Sequence, residues 1–577
     1  MTDQVQHPTT PSVYGPGTHT DKTFTPVPED TARIFRFLAS QTPGFTNDDA
    51  ALSKVKFEGD AFPVLPGPLK AISIAAALHG MTGVVADEIL SLRGLPQSPS
   101  ITVNTTHAAF WFGTVGCGYI GGEEMVSVVK QKKLNDLVPD FEQGWYSTPL
   151  KYRATAIYPT KKKDVWYQIH GSLAAVPMLK AMGLDPDTPC KTNAEAWSYI
   201  ASYTKEKSPE ELEMFNIIHG YCGSICFTPQ EWNESEMGRS LAARPFVDVR
   251  PQPHAIPTPP ISFPLVSPSD KRPLAGIKVV EMTRIIAGPT VGNILSSYGA
   301  DVIRINASHL IDINIMQLSL NAGKRTIELD MRNAADLAHL HSLLQDCDVF
   351  VQGFRINKLP KFGLGLPDFL RMAAEREKGY VYLSENCYGT EGPYAERGGW
   401  QQIADSASGA AHVTGRALQL ADGESVLPSL PISDMTTGLV GALGAMMALR
   451  DRATQGGSYH VHSSLTAVNT FALRPEIGLY APATVAEGHS RFQWAPMRGA
   501  HHVFELLFTV WDGWKRVFGE QLKEDSGLFL SFENSAFQGK RLSILRPVVD
   551  LGGESSPVWR SPSVPYCYQK REEVAWL

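Results

Sequence analysis

Between residues 277 and 383, short apolar strands alternate with helices, and this alternation restricts the fold more than any other feature of the sequence. The strand patterns cover residues 277–282, 301–305, 326–330, 348–351 and 380–383. Strands separated by helical patterns of roughly 10–15 residues form a mainly parallel sheet with helices on both faces. Ligands of such sheets bind at the carboxyl ends of the strands. The sequence therefore predicts an α/β fold.

An internal repeat relates this region to the N-terminal part of the chain. Residues 84–109 and 440–468 both read as a helix of small residues, a Leu-Arg pair, a turn and a strand. Since self-similarity fixes architecture, we predict an N-terminal α+β module that partially repeats the later domain. Asp434 stands sixteen residues before Arg450, whereas Ala77 stands sixteen before Arg93. Only one copy therefore carries the acid.

Composition marks the expected domain boundaries. Residues 1–28 are rich in Thr, Pro and Gly and contain no apolar run, which is typical of a disordered leader. Residues 251–273 hold eight prolines in 23 residues, which predicts an extended linker. We thus expect a leader, a partial repeat, a linker, a catalytic domain and a C-terminal extension without an identified site, at residues 1–28, 29–250, 251–272, 273–473 and 474–577.

Charge and cysteine usage narrow the class of protein. The 577 residues carry a net charge of -7 without a long block of one sign, so neither nucleic acid nor an anionic membrane is expected as the main partner. Seven scattered cysteines favour a reducing compartment, and the absence of a signal peptide or an apolar stretch of ~20 residues favours the cytoplasm.

Two pairs of residues have spacings that occur in metal sites. Cys222 and Cys226 have no matching second pair, and His460 and His462, on one face of a strand, have no third ligand in the sequence pattern. Zinc sites need four ligands or three with an open position. We therefore predict no metal site.

Asp434 has two interpretations from the residues alone. With Ser433 before it and Thr437 after it, it could cap the N-terminus of a helix, which is the more common role. Alternatively, its carboxylate could attack an activated carbonyl at a helix N-terminus, where backbone amides stabilise developing charge.

Two loops could bind an anionic ligand. A Gly-Pro turn at residues 287–289 leads into a helix N-terminus, which suits a phosphate, although it is also an ordinary strand-to-helix connection. Cations and aromatic rings follow the strand at 348–351, namely Phe354, Arg355, Lys358, Lys361 and Phe362. They could hold phosphates and stack an adenine, or form a solvated basic loop.

Taken together and in order, several motifs resemble the family III CoA-transferases (CaiB/BaiF family), over about residues 273–466. The motifs are RPLAGIKVVEM at 272–282, AGP at 287–289, YGADVIR at 298–304, GKRTIELD at 323–330, FR at 354–355, FGLG at 362–365, YG at 388–389, GPY at 392–394 and SG at 408–409. The resemblance implies a Rossmann-like fold. It also implies a homodimer or, through the repeat, an internal pseudo-dimer.

The resemblance implies a nucleophile and a ligand. The family's catalytic aspartate, at the start of the small-residue helix, matches Asp434. Its carboxylate would attack an acyl-CoA thioester to give an acyl-aspartyl anhydride and CoA thiolate, and CoA would pass to an acceptor carboxylic acid. CoA esters would be substrates, with no permanently bound cofactor. The implied CoA contacts are Ile285, Ala287, Gly288, Lys324, Gly353, Phe354, Lys361 and Phe362.

Departures from the family pattern bear on the reaction. Trp400-Gln401 stands where the racemases of the family carry a His-Asp pair, which favours a transferase. An acyl-CoA racemase or epimerase, and a non-catalytic homologue that binds CoA esters, are the alternatives. Because Ile286, Gly353 and Asn306 replace residues of formyl-CoA transferase, specificity for formyl or oxalyl groups is not implied.

Overall fold

A computed structural model describes residues 7–252, 257–265, 267 and 269–577. The strands are β1 (Thr9–Pro11), β2 (His19–Asp21), β3 (Val55–Glu58), β4 (Ile101–Asn104), β5 (Gly118–Ile120), β6 (Glu123–Glu124), β7 (Thr155–Pro159), β8 (Trp166–His170), β9 (Cys222–Ile225), β10 (Asp248–Gln252), β11 (Lys278–Met282), β12 (Asp301–Asn306), β13 (Lys324–Glu328), β14 (Val349–Gln352), β15 (Val381–Asn386), β16 (Ser458–Ser464), β17 (Phe529–Phe532), β18 (Leu542–Leu545) and β19 (Val549–Asp550).

The α-helices are α1 (Val27–Gln41), α2 (Asp49–Ser53), α3 (Ala71–Leu92), α4 (Thr105–Phe112), α5 (Met125–Lys130), α6 (Pro149–Arg153), α7 (Ala175–Ala181), α8 (Asn193–Thr204), α9 (Pro209–His219), α10 (Pro229–Glu234), α11 (Glu236–Ala242), α12 (Ala287–Ser297), α13 (Gln317–Leu320), α14 (Ala334–Asp346), α15 (Leu366–Glu375), α16 (Gln401–Ala407), α17 (Ala410–Ala417), α18 (Ile432–Gln455), α19 (Leu465–Ala472), α20 (Pro482–Phe492) and α21 (Val503–Phe518).

The largest sheet has seven strands in the order β10-β16-β15-β14-β11-β12-β13. Six are mutually parallel, and β10 is antiparallel to β16 at one edge. Numbered along the chain, the parallel strands have the order 3-2-1-4-5-6, which is that of a Rossmann fold. The predicted parallel α/β sheet is confirmed, and its strand order reverses between β11 and β14.

Helices cover both faces of this sheet, so its strands are apolar on both sides. Val279 and Val302 face a core that includes α12 and α18, while Val280 and Ile303 face a second core that includes residues of α14 and α15.

A glycine brings α18 close to the start of α12. A Cβ on Gly438 would lie 2.5 Å from the carbonyl oxygen of Ala287. Only a residue without a side chain allows this approach, which places the second turn of α18 beside the first turn of α12. This close contact positions Asp434, one turn before Gly438.

The N-terminal part packs against the same helix. Helix α3 contacts α18, and both are followed by a strand and a short helix, β4 and α4 or β16 and α19. The third residue of α18 is Asp434, and the third residue of α3 is Ser73. Neither Ser73 nor Ala77 is acidic. The partial repeat itself stays a prediction.

Helices α3 and α18 are long and apolar enough to cross a membrane, but 94% of the apolar window in each is buried inside the protein. Their neighbours are other helices and strands of the core, so their composition is explained by packing. They are the two central helices of the molecule.

The predicted disordered leader is wrong for residues 7–28. Strands β1 and β2 form an antiparallel pair, and Tyr14 and Asp21 are buried. The buried Lys70 pairs with Asp21 at 2.6 Å and with Asp30 at 2.8 Å. The Pro- and Gly-rich segment forms tight turns, and the buried ion pair between Lys70 and Asp21 holds it against the core. Composition alone does not reveal this ion pair. Residues 1–6 lie outside the described part.

The Pro-rich segment does not separate two cores. Its first residues complete β10, in which Pro251 occupies the sheet edge, where a missing N–H is tolerated. The amide of Gly457 donates to the carbonyl of Thr258 at 3.1 Å. One apolar cluster runs from Val27 to Trp559 and includes both sides of the segment. The expectation of an extended linker between separate domains is therefore wrong for its described residues; residues 253–256, 266 and 268 lie outside them.

The C-terminal extension joins both parts of the chain. Strand β18 pairs with β5 and β19 pairs with β4, both in the N-terminal part. The side chain of Gln569 accepts a 2.7 Å hydrogen bond from the amide of Thr326 in β13. Residues after 518 thus tie the N-terminal part to the far edge of the parallel sheet.

Candidate active site

Asp434 lies in the first turn of α18, and its carboxylate does not cap the helix. The N-cap is Pro431, which provides no side-chain hydrogen bond, and Asp434 is the third helical residue. Within the described residues, no hydrogen bond or ion pair to its carboxylate is present, and the side chain borders a cavity of about 70 Å³. The interpretation as a helix cap is therefore wrong. An unpartnered, 8% exposed carboxylate at a cavity is typical of a functional group.

The surroundings of Asp434 favour its neutral form. Burial raises the pKa of its carboxyl well above the usual range, and the acids Glu385 and Asp405 raise it further. A buried carboxylate without a counter-ion keeps its proton more strongly and, once ionised, is poorly solvated. A group of this kind is a stronger nucleophile than a solvated carboxylate.

Asp405 is held in place by a small polar network. Its carboxylate accepts hydrogen bonds from Asn469 at 2.7 Å, Ser433 at 3.0 Å and Gln401 at 3.1 Å. Burial raises its pKa to about 7, although these three donors act in the opposite direction. Because Ser433 precedes Asp434, the network also fixes the first turn of α18.

Glu385 lies at the carboxyl end of β15, next to the end of β14 at which CoA contacts are expected. It is the penultimate residue of the strand, and burial raises its pKa to about 7. One carboxylate oxygen lies 3.2 Å from the position that a Cβ on Gly353 would take. Glycine at position 353 therefore leaves room for the Glu385 carboxylate. This acid was not predicted, because nothing in the sequence pairs it with Asp434.

The loop after β11 is strained at the point where it meets Asp434. Ile285 has a φ of 67°, a conformation that β-branched residues rarely adopt. Its backbone amide faces the buried carboxylate of Asp312. Ile285 and Ile286 border the same cavity as Asp434. Ile285, an expected CoA contact, and its neighbour Ile286 thus lie next to Asp434.

Ala287 and Gly288 begin α12 and are buried. A Cβ on Gly288 would lie 2.4 Å from the side chain of Thr283, so the glycine is needed for packing against the end of β11. The backbone of Gly288 thus lies close to a protein side chain. Contact of either residue with CoA stays a prediction.

The predicted contacts after β14 lie beside the point where the strand order reverses. Gly353 and Lys361 are exposed, while Phe354 and Phe362 are half-buried. The Lys361 ammonium lies 4.8 Å from the centre of the Phe362 ring. Three cations of this loop, Arg355, Lys358 and Lys361, form no ion pair with any residue that the structure describes. Their charge is free for phosphates, as expected at this edge of the sheet.

Lys324 was predicted to contact CoA, and the structure contradicts this. Its side chain is fully buried, and its ammonium lies 2.7 Å from Glu281 and 2.6 Å from the carbonyl oxygen of Pro289. Burial lowers its pKa to about 8. Glu281 also contacts the buried Arg304, which lies 3.5 Å from Asp312. Lys324 is part of an internal charge network below the Ile285 loop.

The cavity wall includes residues that sequence reasoning missed. Val115, Trp145, Leu173 and His170 come from the N-terminal part, and His502, Phe504 and Leu507 come from the C-terminal extension. They are far apart in the sequence and carry no motif. Their common position follows only from the shared core.

Trp400-Gln401 takes part in the site without forming an acid-base pair. The Trp400 ring stacks on His170 with 5.5 Å between ring centres, and its indole N–H donates to Ser172 at 3.2 Å. The Gln401 amide donates to Asp405 and to the carbonyl of Leu430. Both side chains line the cavity, and Gln401 also holds Asp405 in place.

No group of three or more His, Cys, Asp or Glu side chains suited to a metal ion occurs in the described ranges. His460 accepts from or donates to Ser384 at 3.0 Å, and Cys222 and Cys226 are buried free thiols.

Comparison with known proteins identifies the family of the chain. The model of CoA-transferase family III matches residues 274–514. The chain is 42% identical over 567 residues to "Acyl-CoA transferase" of Gibberella moniliformis, which covers 97% of this chain and 98% of that protein. It is 29% identical to "Acetyl-coenzyme A transferase nodX" of Hypoxylon pulicicidum, over 81% of this chain and 79% of that protein. It is 32% identical to "Succinyl-CoA:glutarate CoA-transferase" of Mus musculus, over 31% of this chain and 41% of that protein.

The chain therefore belongs to CoA-transferase family III. It is an enzyme that transfers CoA between acyl-CoA esters and carboxylic acids.

Proposed function

We propose that CoA transfer proceeds through a covalent anhydride on Asp434, with CoA held at the carboxyl ends of β11 and β14. The observation that carries the proposal is the Asp434 carboxylate, which borders a cavity without a hydrogen-bond partner among the described residues. An unsatisfied buried carboxylate costs stability, so its retention favours a chemical role.

The carboxyl group of Asp434 takes part in every step. Its carboxylate oxygen attacks the thioester carbonyl, the carbon–sulfur bond breaks, and CoA leaves as a thiolate. The thiolate then attacks the aspartyl carbonyl of the anhydride, which releases the donor acid as a carboxylate and leaves an aspartyl thioester. The acceptor carboxylate repeats these two steps in reverse order, and the new acyl-CoA and the free Asp434 carboxylate result.

The first turn of α18 supports this chemistry. The positive end of the helix dipole stabilises negative charge near Asp434, and the close approach of α12 brings a second helix N-terminus to the same place. Backbone amides that point at a developing oxyanion lower the barrier because they need no reorganisation.

The CoA moiety would extend from Asp434 across the strand ends. Gly353 and the half-buried Phe354 lie at the reversal of strand order, and Arg355, Lys358 and Lys361 supply positive charge nearby that no acid in the described ranges pairs with. Phosphates and an adenine ring need this combination of cations and an aromatic face.

The intermediate is accessible to a direct test. The enzyme is mixed with an acyl-CoA without an acceptor acid, quenched in acid and digested. We expect mass spectrometry to detect an acyl or CoA adduct on the peptide that contains Asp434. An adduct on another residue, or transfer without any adduct at a time resolution shorter than one turnover, would contradict the proposal.

The pH dependence of the reaction should report the acids around Asp434. Only the ionised carboxylate attacks, and burial with Glu385 and Asp405 raises its pKa; kcat/KM should therefore rise with pH. In Glu385→Gln one neighbouring charge is removed, so Asp434 ionises more easily and the rising limb should move to lower pH. We expect the ratio of kcat/KM at pH 5.5 to that at pH 8 to be higher in the variant than in the wild type.

Glu375→Gln is the matched control for this measurement, because Glu375 is an exposed acid on α15. Its profile should superimpose on that of the wild type. If the rising part of the kcat/KM profile keeps its pH position in Glu385→Gln, Glu385 does not raise the pKa of Asp434.

A further inference from the structure

The cavity beside Asp434 is built to receive one class of acyl group. Asp434 and Ile285, an expected CoA contact, border the cavity, whereas Gly353 and Phe354, two of the other expected CoA contacts, do not. The thioester carbon has two substituents, sulfur and the acyl chain. If sulfur leads to the strand ends, the acyl chain enters the cavity.

We infer that this enzyme transfers CoA among short, apolar monocarboxylic acids and excludes acyl groups that carry a second carboxylate. The inference rests on the proposed function, because it places the reacting carbonyl at Asp434.

The lining has the composition of a hydrophobic pocket. Of the 18 residues that line the cavity, 12 are apolar. The three largest are Trp145, Trp400 and Phe504, and each presents an aromatic ring to the lining. Burial of each methylene of a substrate in such surroundings favours binding. The acyl group is thus bound through the hydrophobic effect.

The charges in the wall disfavour a dicarboxylic acyl group. No Lys or Arg borders the cavity within the described residues, and Asp434 is its acidic group. A distal carboxylate would lose its hydration and lie near Asp434 without a cation. Such a transfer is strongly unfavourable.

The two histidines in the wall do not replace the missing cation. Burial lowers the pKa of His170 and of His502 to about 3. Their Nδ1 atoms accept hydrogen bonds from the amides of Ser172 and Phe504, so each neutral ring carries its proton on Nε2. They can donate hydrogen bonds to a carbonyl oxygen but supply no positive charge.

The size of the cavity limits the chain length. Its volume is about 70 Å³, and one water needs ~10–15 Å³ on the same scale. This is room for on the order of five non-hydrogen atoms. Acyl groups of about four to six carbons fit, and a long fatty chain does not.

The restriction applies to donor and acceptor alike. The acceptor acid becomes the acyl group of the new thioester, which is the donor of the reverse reaction. Both acids must therefore fit the same cavity, and a single preference governs both half-reactions.

Isotope exchange tests this without knowledge of the physiological acids. A labelled acid is incubated with its own unlabelled CoA ester and the full-length enzyme, and kcat/KM for exchange is measured for butanoate, 3-methylbutanoate, succinate and dodecanoate. We expect both short apolar acids to exchange at least about 100-fold better than succinate or dodecanoate.

Two substitutions change the cavity in opposite ways. Phe504→Arg, at a half-buried position, adds a cation to the wall and should raise the ratio of succinate to butanoate exchange at least about tenfold. Phe508→Arg is its matched control, because Phe508 is on the same helix, is half-buried and does not border the cavity; its ratio should equal that of the wild type. Trp145→Ala enlarges the cavity and should move the preferred chain to longer acids.

The outcomes separate this inference from the proposed function. Succinate exchange equal to or faster than butanoate exchange in the wild type overturns the substrate class and leaves Asp434 as nucleophile. Absence of exchange with both short apolar acids also overturns the substrate class, while the proposed mechanism is decided separately by the adduct on the peptide that contains Asp434. If Phe504→Arg does not fold, the wild-type series and Trp145→Ala still decide the question.

Discussion

Asp434→Asn lowers the kcat of CoA transfer by about 10⁴-fold or more and leaves the affinity for CoA esters unchanged within about threefold. The amide has nearly the shape of the carboxylate but cannot form an anhydride with a thioester. Asp434 has no hydrogen bond or ion pair to lose in the described structure, so α18 should keep its position. Transfer is measured by isotope exchange, and binding by calorimetry with a non-reactive CoA thioether.

Asp451→Asn is the matched control for this substitution. Asp451 is on the same helix, far from the cavity, and pairs with Arg450 near the surface. Its loss should leave kcat within about twofold of the wild type. Unchanged turnover in Asp434→Asn, confirmed free of deamidation by mass spectrometry, would eliminate the anhydride mechanism.

Lys324→Met destabilises the protein by about 3–5 kcal/mol, because it leaves Glu281 and the Pro289 carbonyl without their buried partner. The remaining contacts of Glu281, with Arg304 at 3.2 Å and with the Thr283 hydroxyl at 2.9 Å, do not fill the place of the ammonium. Since Arg304 also pairs with Asp312, whose carboxylate faces the Ile285 amide, the strained loop should loosen as well. Chemical denaturation and the thermal midpoint measure the effect.

Lys361→Met gives the contrasting result. Lys361 is exposed and forms no ion pair in the described ranges, so the thermal midpoint should not change. The KM for acyl-CoA should rise about three- to thirtyfold and the loss should shrink at high salt, as for a surface contact with a phosphate. If Lys324→Met instead keeps full stability and loses CoA affinity, Lys324 contacts the ligand and not the core network.

Local sequence patterns were sufficient for the sheet and for the position of Asp434. The alternation of strands and helices requires a parallel sheet, and the small-residue helix has to lie in the core, where Gly438 meets α12. Neither prediction depends on residues distant in the sequence.

The wrong or missing predictions concern residues whose role depends on burial in the folded protein. Lys324 and Lys361 both stand next to glycine-containing motifs, so the sequence does not distinguish them. Only the fold shows that Lys324 faces Glu281 and that Lys361 faces solvent. The turn-rich start of the chain was interpreted as disordered because its anchor, Lys70, lies about fifty residues later. The cavity wall combines Trp145 with Leu507, a pairing that no local pattern encodes.

The strands at the end of the chain also set the order in which the enzyme can mature. Strands β18 and β19 complete sheets begun by β5 and β4, and Leu507 closes a cavity begun at Val115. At a translation speed of ~5–20 residues per second, roughly 20–80 s separate the synthesis of these partners. During that time α3, which packs against β19, lacks part of its cover, so newly made chains should depend on chaperones and remain inactive until the last strands are released from the ribosome.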